Sequence, residues 1–192
     1  MKLEVFWRQL VGVGAEHLIL GLDGSIHADS LSVGTVDGTA YRIRYELDCD
    51  ARWSVQRLDL HDSLSDKHVQ LARGQGEHWS DAQGHPLPEL AGCSDVDIMI
   101  TPFTNTLPIR RLNLAVGEAR EIAVVYVGLP GLAPSRFDQR YTCLSVREDG
   151  GVYRYESLRS GYTADLIVDS DGLVVDYPNA FQMEAKRRLA DD

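Results

Sequence analysis

From Tyr41 to Cys49 the chain alternates without a break. Tyr41, Ile43, Tyr45, Leu47 and Cys49 hold one phase, and Arg42, Arg44, Glu46 and Asp48 hold the other. An extended strand sends successive side chains to opposite faces, so this stretch defines a strand with one dry face and one wet face. Such a strand is unstable alone and needs neighbours on both edges. The rest of the chain supplies them. Leu3, Val5 and Trp7 alternate with polar residues, and Glu16–Leu22 and Ile26–Val33 are further runs, punctuated by the hairpin signals Asp23-Gly24 and Asp37-Gly38. Trp53, Val55, Leu58 and Leu60 continue the pattern with one slip between Val55 and Leu58, which predicts a bulge there. His68–Ala72, Asp95–Ile100, Glu121–Leu129, Phe137–Val146, Val152–Leu158, Tyr162–Val168 and Leu173–Tyr177 read as strands as well. Gln75–Gly92, rich in Gly, Pro, Asp and Ser, reads as a long surface connection with Trp79 folded back onto the body.

One internal segment breaks the rule. Thr101-Pro102-Phe103-Thr104-Asn105-Thr106-Leu107-Pro108-Ile109-Arg110-Arg111-Leu112 carries two overlapping helix-start signals, a threonine before Pro102 and another shortly before Pro108. A straight helix begun at Thr101 would hold Pro108 in its interior, where it loses a hydrogen bond and clashes with the preceding turn. Two solutions stay open: a turn followed by a short helix from about Leu107, or one kinked helix. Phe103, Leu107, Ile109, Leu112 and Leu114 mark the segment as packed on most sides. The fold class is therefore mainly β, a many-stranded antiparallel sheet that curls around one short central helix. One domain spans residues 1–180, and the tail 181–192, with helical propensity but few apolar positions, is expected to be a frayed surface helix.

Length and charge limit the function. At 192 residues the chain can bury roughly 70% of its unfolded surface and needs no metal or disulfide to hold together. The balance of 19 basic against 29 acidic residues gives a net charge of −10, which argues against nucleic acid or an anionic membrane surface as partner. Cys49, Cys93 and Cys143 are odd in number and far apart, as reduced thiols in a cytoplasmic protein would be. The start has no continuous apolar region, and no run is long enough to span a bilayer, so neither export nor membrane insertion is expected.

No metalloprotease, phosphate-loop, dinucleotide-binding or nucleophile-elbow motif occurs, and the six histidines show no ligand spacing; no cofactor and no metal are expected. Asp95 and Asp97, two apart on a strand, share a face, as an acid/base pair would. The favoured alternative is a structural polar set with Arg110 and Arg111, because an arginine inside a wrapped sheet requires an acceptor. Ser157, Ser160 and Thr104 have no base placed beside them by sequence. The tyrosines and tryptophans, apolar in the body and hydrogen-bonding at the edge, suit sugar faces and amphipathic ligands as well as strand packing.

These residues lie in segments that resemble the bacterial putative glycolipid-binding family across roughly Trp7–Tyr177. The resemblance is carried by Glu16-His17-Leu18, by Tyr45-x-Leu47-x-Cys49-Asp50-x-x-Trp53, by Leu87-Pro88-Glu89-Leu90-x-Gly92-Cys93-x-Asp95-Val96-Asp97, and most specifically by Thr101–Arg111. Gln139-x-Tyr141, Tyr153-x-Tyr155-Glu156-Ser157 and Leu173-Val174-x-Asp176-Tyr177-Pro178 complete it. The resemblance implies a spiral β-roll wound around one helix, a homodimer, and a glycolipid as ligand; it brings no catalytic residues. The expected function is a non-enzymatic protein that holds an amphipathic ligand against the curved sheet. Arg44, Tyr45, Trp53, Arg110, Arg111, Tyr126 and Tyr155 are the candidate ligand-binding residues, with Arg42 a further candidate for the polar head. The alternatives are a dimeric interaction protein with a filled core, and a small hydrolase using Asp95 and Asp97.

Overall fold

The computed structural model describes residues 1–74 and 78–190. Fourteen strands form one curved, unclosed sheet in the order β7-β6-β5-β4-β3-β2-β1-β14-β13-β12-β11-β10-β9-β8. The chain starts in the middle of this sheet. From β1 (Lys2–Gln9) it meanders outward through β2 (Gly14–Asp23), β3 (Ser25–Val36), β4 (Thr39–Cys49), β5 (Val55–Asp62), β6 (Lys67–Arg73) and the two-residue β7 (Trp79–Ser80). It then crosses to the opposite edge at β8 (Asp95–Ile98). From there it returns inward through β9 (Ala119–Val127), β10 (Pro134–Arg147), β11 (Gly150–Ser157), β12 (Thr163–Asp169), β13 (Val174–Tyr177) and β14 (Phe181–Leu189), which pairs with β1.

The period-two reading of β4 is realised: Tyr41, Ile43, Tyr45, Leu47 and Cys49 are all buried, while Arg42 and Arg44 face solvent. The slip in β5 is a bulge: Asp48 pairs with Arg57 and Cys49 with Val55, so Gln56 is the extra residue. Asp37 and Gly38 both have positive φ (49° and 77°), the geometry that a tight two-residue hairpin turn requires. Trp79 folds back as expected, buried, with Nε1 donating to the Cys93 carbonyl at 3.0 Å. The connection that contains it carries more order than its composition suggests: β7 and a 3-10 turn at Pro88–Leu90 lie within it, while residues 75–77 fall outside the described residues.

One pair departs from the antiparallel expectation. β8 and β9 are parallel. Parallel neighbours need a crossover, and the organising segment is that crossover: a 3-10 turn (Phe103–Asn105) followed by α1 (Thr106–Leu112). This division resolves the proline conflict, because Pro108 falls within the first turn of α1, where an N–H has no intrahelical partner to lose. Thr101 caps the 3-10 turn, its Oγ1 accepting from the Phe103 N–H at 3.0 Å. Thr106, by contrast, caps nothing; its Oγ1 is buried without a partner. Asn113, left-handed at φ 46°, ends the helix.

The crossover sits at the seam of two hydrophobic clusters. Phe103 and Leu107 belong to one, with Val5, Trp7, Leu18, Tyr45, Leu47, Leu58 and Leu60. Ile109 and Leu114 belong to the other, with Tyr141, Cys143, Tyr153, Tyr155 and Leu166. Burying each large side chain stabilises the fold by about 1.5–3 kcal/mol, so the sheet is held in its roll by the segment it encloses. Apolar side chains pack against the crossover on both sides.

The tail is a correction. Residues 181–189 form β14, not a helix, and only residues 191 and 192 lie beyond the described part. Its composition offers little apolar drive. What decides is β1, whose outer edge would otherwise leave a row of backbone donors and acceptors unpaired. Ion pairs of Glu184 with Arg8 and of Arg187 with Glu4 add to the fit. Both free edges, β7 and β8, are short, which limits edge-to-edge pairing.

Candidate functional site

Two clefts flank the crossover. The first, about 430 Å³, opens beside the 3-10 turn and is walled by Tyr126, Phe137, Tyr155, Tyr162, Tyr177 and Phe181. Tyr126, Phe137, Tyr155, Tyr177 and Phe181 come from β9, β10, β11, β13 and β14, and Tyr162 from the connection before β12. Tyr126 and Phe137 stack with centroids 4.3 Å apart, and Tyr155, Tyr162 and Tyr177 form a triangle with sides of 6.3, 6.4 and 6.4 Å.

Its floor is polar. Gln139 Nε2 donates to Asp97 Oδ2 at 2.6 Å and to Tyr155 Oη at 3.2 Å. Tyr141 Oη donates to Asn105 Oδ1 at 2.9 Å, and Thr104 Oγ1 lies 3.4 Å from Asp97 Oδ1. Among the described residues no cation reaches Asp97 to offset its desolvation, and its carboxyl is pushed up to about 6. Burial raises the Tyr126, Tyr155 and Tyr177 hydroxyls too, which keeps them neutral donors and acceptors.

Behind Thr101, which also lines this cleft, lies a fully buried acid that the sequence reading left unassigned. Glu16 Oε1 accepts from Tyr45 Oη at 2.6 Å, Ser30 Oγ at 2.7 Å and Thr101 Oγ1 at 2.8 Å, while Oε2 has no partner. Desolvation outweighs these bonds and pushes the carboxyl up to about 7. A signal existed: Glu16 shares the inward phase of β2 with Leu18 and Leu20, where a carboxylate is out of place.

The second cleft, about 590 Å³, opens beside the last turn of α1 and is lined by Arg52, Trp53, Arg110, Arg111, Arg147 and Tyr153, among others. Trp53 sits in a tight turn at φ 67°, fixed by Asp50 Oδ1, which accepts from the N–H groups of Arg52 and Ser54, both at 2.9 Å. The Arg110 guanidinium lies 5.4 Å from the centre of the Trp53 ring. A neighbouring groove of about 350 Å³ shares Ala51, Trp53 and Arg110 and is lined on its other side by Leu20, Leu22 and Ile26.

The candidate residues are thus divided. Tyr126 and Tyr155 belong to the aromatic cleft; Trp53, Arg110 and Arg111 belong to the arginine cleft. Tyr45 is in the core on Glu16, and Arg44 is on the outer face, held by Asp29 at 3.1 Å and Glu46 at 3.0 Å; neither lines either cleft. Arg42 also faces outward. The expected polar set of Asp95 and Asp97 with both arginines is not what forms. Arg111 grips Asp95 with two nitrogens, at 3.0 and 2.5 Å, whereas Asp97 meets Gln139 and Thr104 and Arg110 stacks on Trp53. The reason is the reversal of the chain at the 3-10 turn, which lays Asp95 beside the end of the helix and Asp97 beside its start. Among the described residues, no three His, Cys, Asp or Glu side chains gather as a metal site would need, and no helix is long and apolar enough to cross a membrane.

An open roll around a buried crossover helix, with an aromatic cleft at one end of it, defines a class that comparison makes specific. The family described as "Putative glycolipid-binding" matches residues 4–183, and the chain belongs to it. The fold is similar to the crystal structure of a DUF1089 family protein from Pseudomonas aeruginosa, 37% identical, with a TM-score of 0.76, over 87% of this chain and 91% of that one. No curated protein matches the chain.

Proposed function

We propose that the protein binds an amphipathic, sugar-bearing ligand without transforming it, and that the aromatic cleft takes the sugar. The observation that carries this reading is the pairing of ring faces with a polar floor. A pyranose offers C–H faces that pack on aromatic rings and a rim of hydroxyls that need both donors and acceptors. Tyr155, Tyr162 and Tyr177 supply the first, and Asp97, Asn105, Ser157 and Ser160 the second. The family's description points to the same ligand class. Because the helix fills the interior, the ligand lies in a cleft beside the helix rather than in a tunnel around it.

The test uses n-octyl β-D-glucoside below its micellar concentration, followed by the aromatic resonances of the protein. A saturable perturbation of the cleft tyrosines that is lost in Tyr155→Ala and absent with n-octanol supports the reading. Equal response to glucoside and octanol would remove the sugar from it, and no response would remove the ligand. Native mass spectrometry of the protein from its own host, with solvent extraction, identifies what it carries there.

A second reading, a self-associating protein, is favoured by the convex face of the sheet. Phe6, Leu31 and Val33 are each about two-fifths exposed there, Phe6 stacked on His17 at 4.3 Å. Light scattering of the wild type and of Phe6→Lys distinguishes it: a dimer held by this face falls to monomer in the variant.

A further inference from the structure

The arginine cleft is unlike the rest of the surface. Elsewhere the arginines are mostly held by carboxylates: Arg8 by Glu184, Arg44 by Asp29, Arg57 by Asp48, Arg136 by Asp138, Arg140 by Glu121, Arg154 by Asp165. With an excess of acidic residues, 29 against 19, acceptors are plentiful. Yet Arg52, Arg110 and Arg147, which line one cleft, make no ion pair among the described residues. The charges facing the space can be counted. Arg111 is neutralised by Asp95, and Asp169 by Lys186 at 2.6 Å. Lys186 is shared with Asp171, which lines the adjoining groove, so against the three cations stand Glu148 and one further uncompensated carboxylate charge, an excess of one positive charge.

Arg110 is also held in place. Its guanidinium is over the Trp53 ring, Trp53 is fixed in a left-handed conformation rare for so bulky a residue, and the arginine's stem lies across Gly172 so closely that a Cβ there would stand 2.7 Å from Cδ. Ordering a long cation where no internal anion rewards it is what a preformed anion site needs.

We propose that this cleft binds a phosphate monoester dianion carrying an apolar chain. The guanidinium groups of Arg52, Arg110 and Arg147 receive the phosphate, whose oxygens suit planar forked donors. The apolar chain runs past Trp53 into the groove of Leu20, Leu22 and Ile26, which is continuous with the cleft through Ala51, Trp53 and Arg110. This site shares no lining residue with the aromatic cleft, and it stands or falls independently of the sugar reading.

The experiment is calorimetric titration of the full chain with monohexyl phosphate and, separately, with inorganic phosphate, at low ionic strength. Monohexyl phosphate binds saturably. Arg110→Ala and Arg147→Ala each weaken it about tenfold, the loss of roughly one charge-assisted contact. Glu148→Gln strengthens it severalfold, an effect that a damaged fold cannot mimic. Inorganic phosphate binds at least about tenfold more weakly, because it leaves the apolar groove empty. Equal binding of the two probes would overturn the apolar half and leave a site for free phosphate. Absence of saturable binding, or affinity unchanged in the Arg110→Ala, Arg147→Ala double variant, would overturn the proposal.

Discussion

The two clefts share one helix and differ in how their polar groups are satisfied. In the aromatic cleft the polar groups answer one another: Asp97 takes the Gln139 amide, Gln139 reaches Tyr155, and Asn105 takes Tyr141. In the arginine cleft Arg52 and Arg147 are exposed and make no ion pair among the described residues, and Arg110 lies over an indole face. The first arrangement contributes to folding whether or not a ligand arrives. The second is ordered by packing, with Arg110 over Trp53 and against Gly172, rather than by an internal anion. Between them stands Asp95, buried on Arg111, which ties the strand under the first cleft to the helix turn beside the second.

That tie is the place to break the comparison hardest. Asp95→Asn takes the buried carboxylate away from Arg111, which is only one-fifth exposed and grips it with two nitrogens. Removing one partner of a buried pair costs about 3–5 kcal/mol, and both clefts should be lost together. Asp97→Asn, two residues on, removes a carboxyl that is already largely protonated at pH 5, because its value is pushed up to about 6. There it should cost less than about 1 kcal/mol. Urea unfolding of both variants at pH 5 tests the contrast; equal losses would mean that the two carboxylates hold the fold alike.

The next effect is a pH dependence confined to the interior behind the aromatic cleft. Glu16 is raised from 4.5 to about 7 by desolvation, so the folded state holds its proton more tightly than the unfolded chain does. The stability this gives is complete below pH 4.5 and is lost as pH rises through 7. Over that window it amounts to about 3 kcal/mol, at 1.36 kcal/mol per unit. Carboxylates held low by partners, such as Asp48 by His27 and Arg57 or Asp165 by Arg154, act in the opposite sense and at lower pH, losing their contribution as the solution acidifies. The unfolding free energy of Glu16→Gln, compared with wild type from pH 5 to 8, should therefore rise relative to wild type as pH increases. Parallel profiles would show that Glu16 ionises normally.

These two carboxylates also show what a sequence discloses. Strands were legible wherever a phase was kept, as in β4, and even the bulge at Gln56 was marked by one skipped position. The turn ahead of a short helix is one of the two solutions that the prolines at 102 and 108 left open. β14 was misread although Phe181, Met183 and Ala185 keep a period-two phase, because Arg187 breaks that phase, the residues between are good helix formers, and pairing with the distant edge of β1 decides. For the sites, residue type was legible and grouping was not. Tyr126 and Trp53 were both sensible candidates, yet nothing local says that they line different clefts. Tyr45 could have been excluded, since its place among Ile43 and Leu47 in the buried phase turns it into the core. Asp95 and Asp97 do share a face, but their partners depend on where the chain reverses.

A smaller effect sharpens the aromatic side. Tyr155→Phe keeps the ring and removes the hydroxyl that accepts from Gln139. The Gln139 amide keeps Asp97, so the cost is that of one hydrogen bond, about 1 kcal/mol. Thermal unfolding reads it, and a loss several times larger would mean that the hydroxyl anchors more of the floor than the Gln139 contact.

The smallest expected effect decides the other side. Arg147→Ala removes an exposed cation with no ion pair, and surface substitutions of that kind stay within about 0.5 kcal/mol. With a chain of net charge −10, losing a cation adds a little self-repulsion, so any change should be a slight destabilisation that fades with added salt. Urea unfolding at low and high ionic strength measures both parts. If the variant instead loses more than 1 kcal/mol, Arg147 has a structural partner within the fold, and the contrast between a cleft satisfied from inside and one left open for a ligand collapses at this residue. If it is neutral, the arginine has no role in folding, and the contrast between the two clefts holds at this residue.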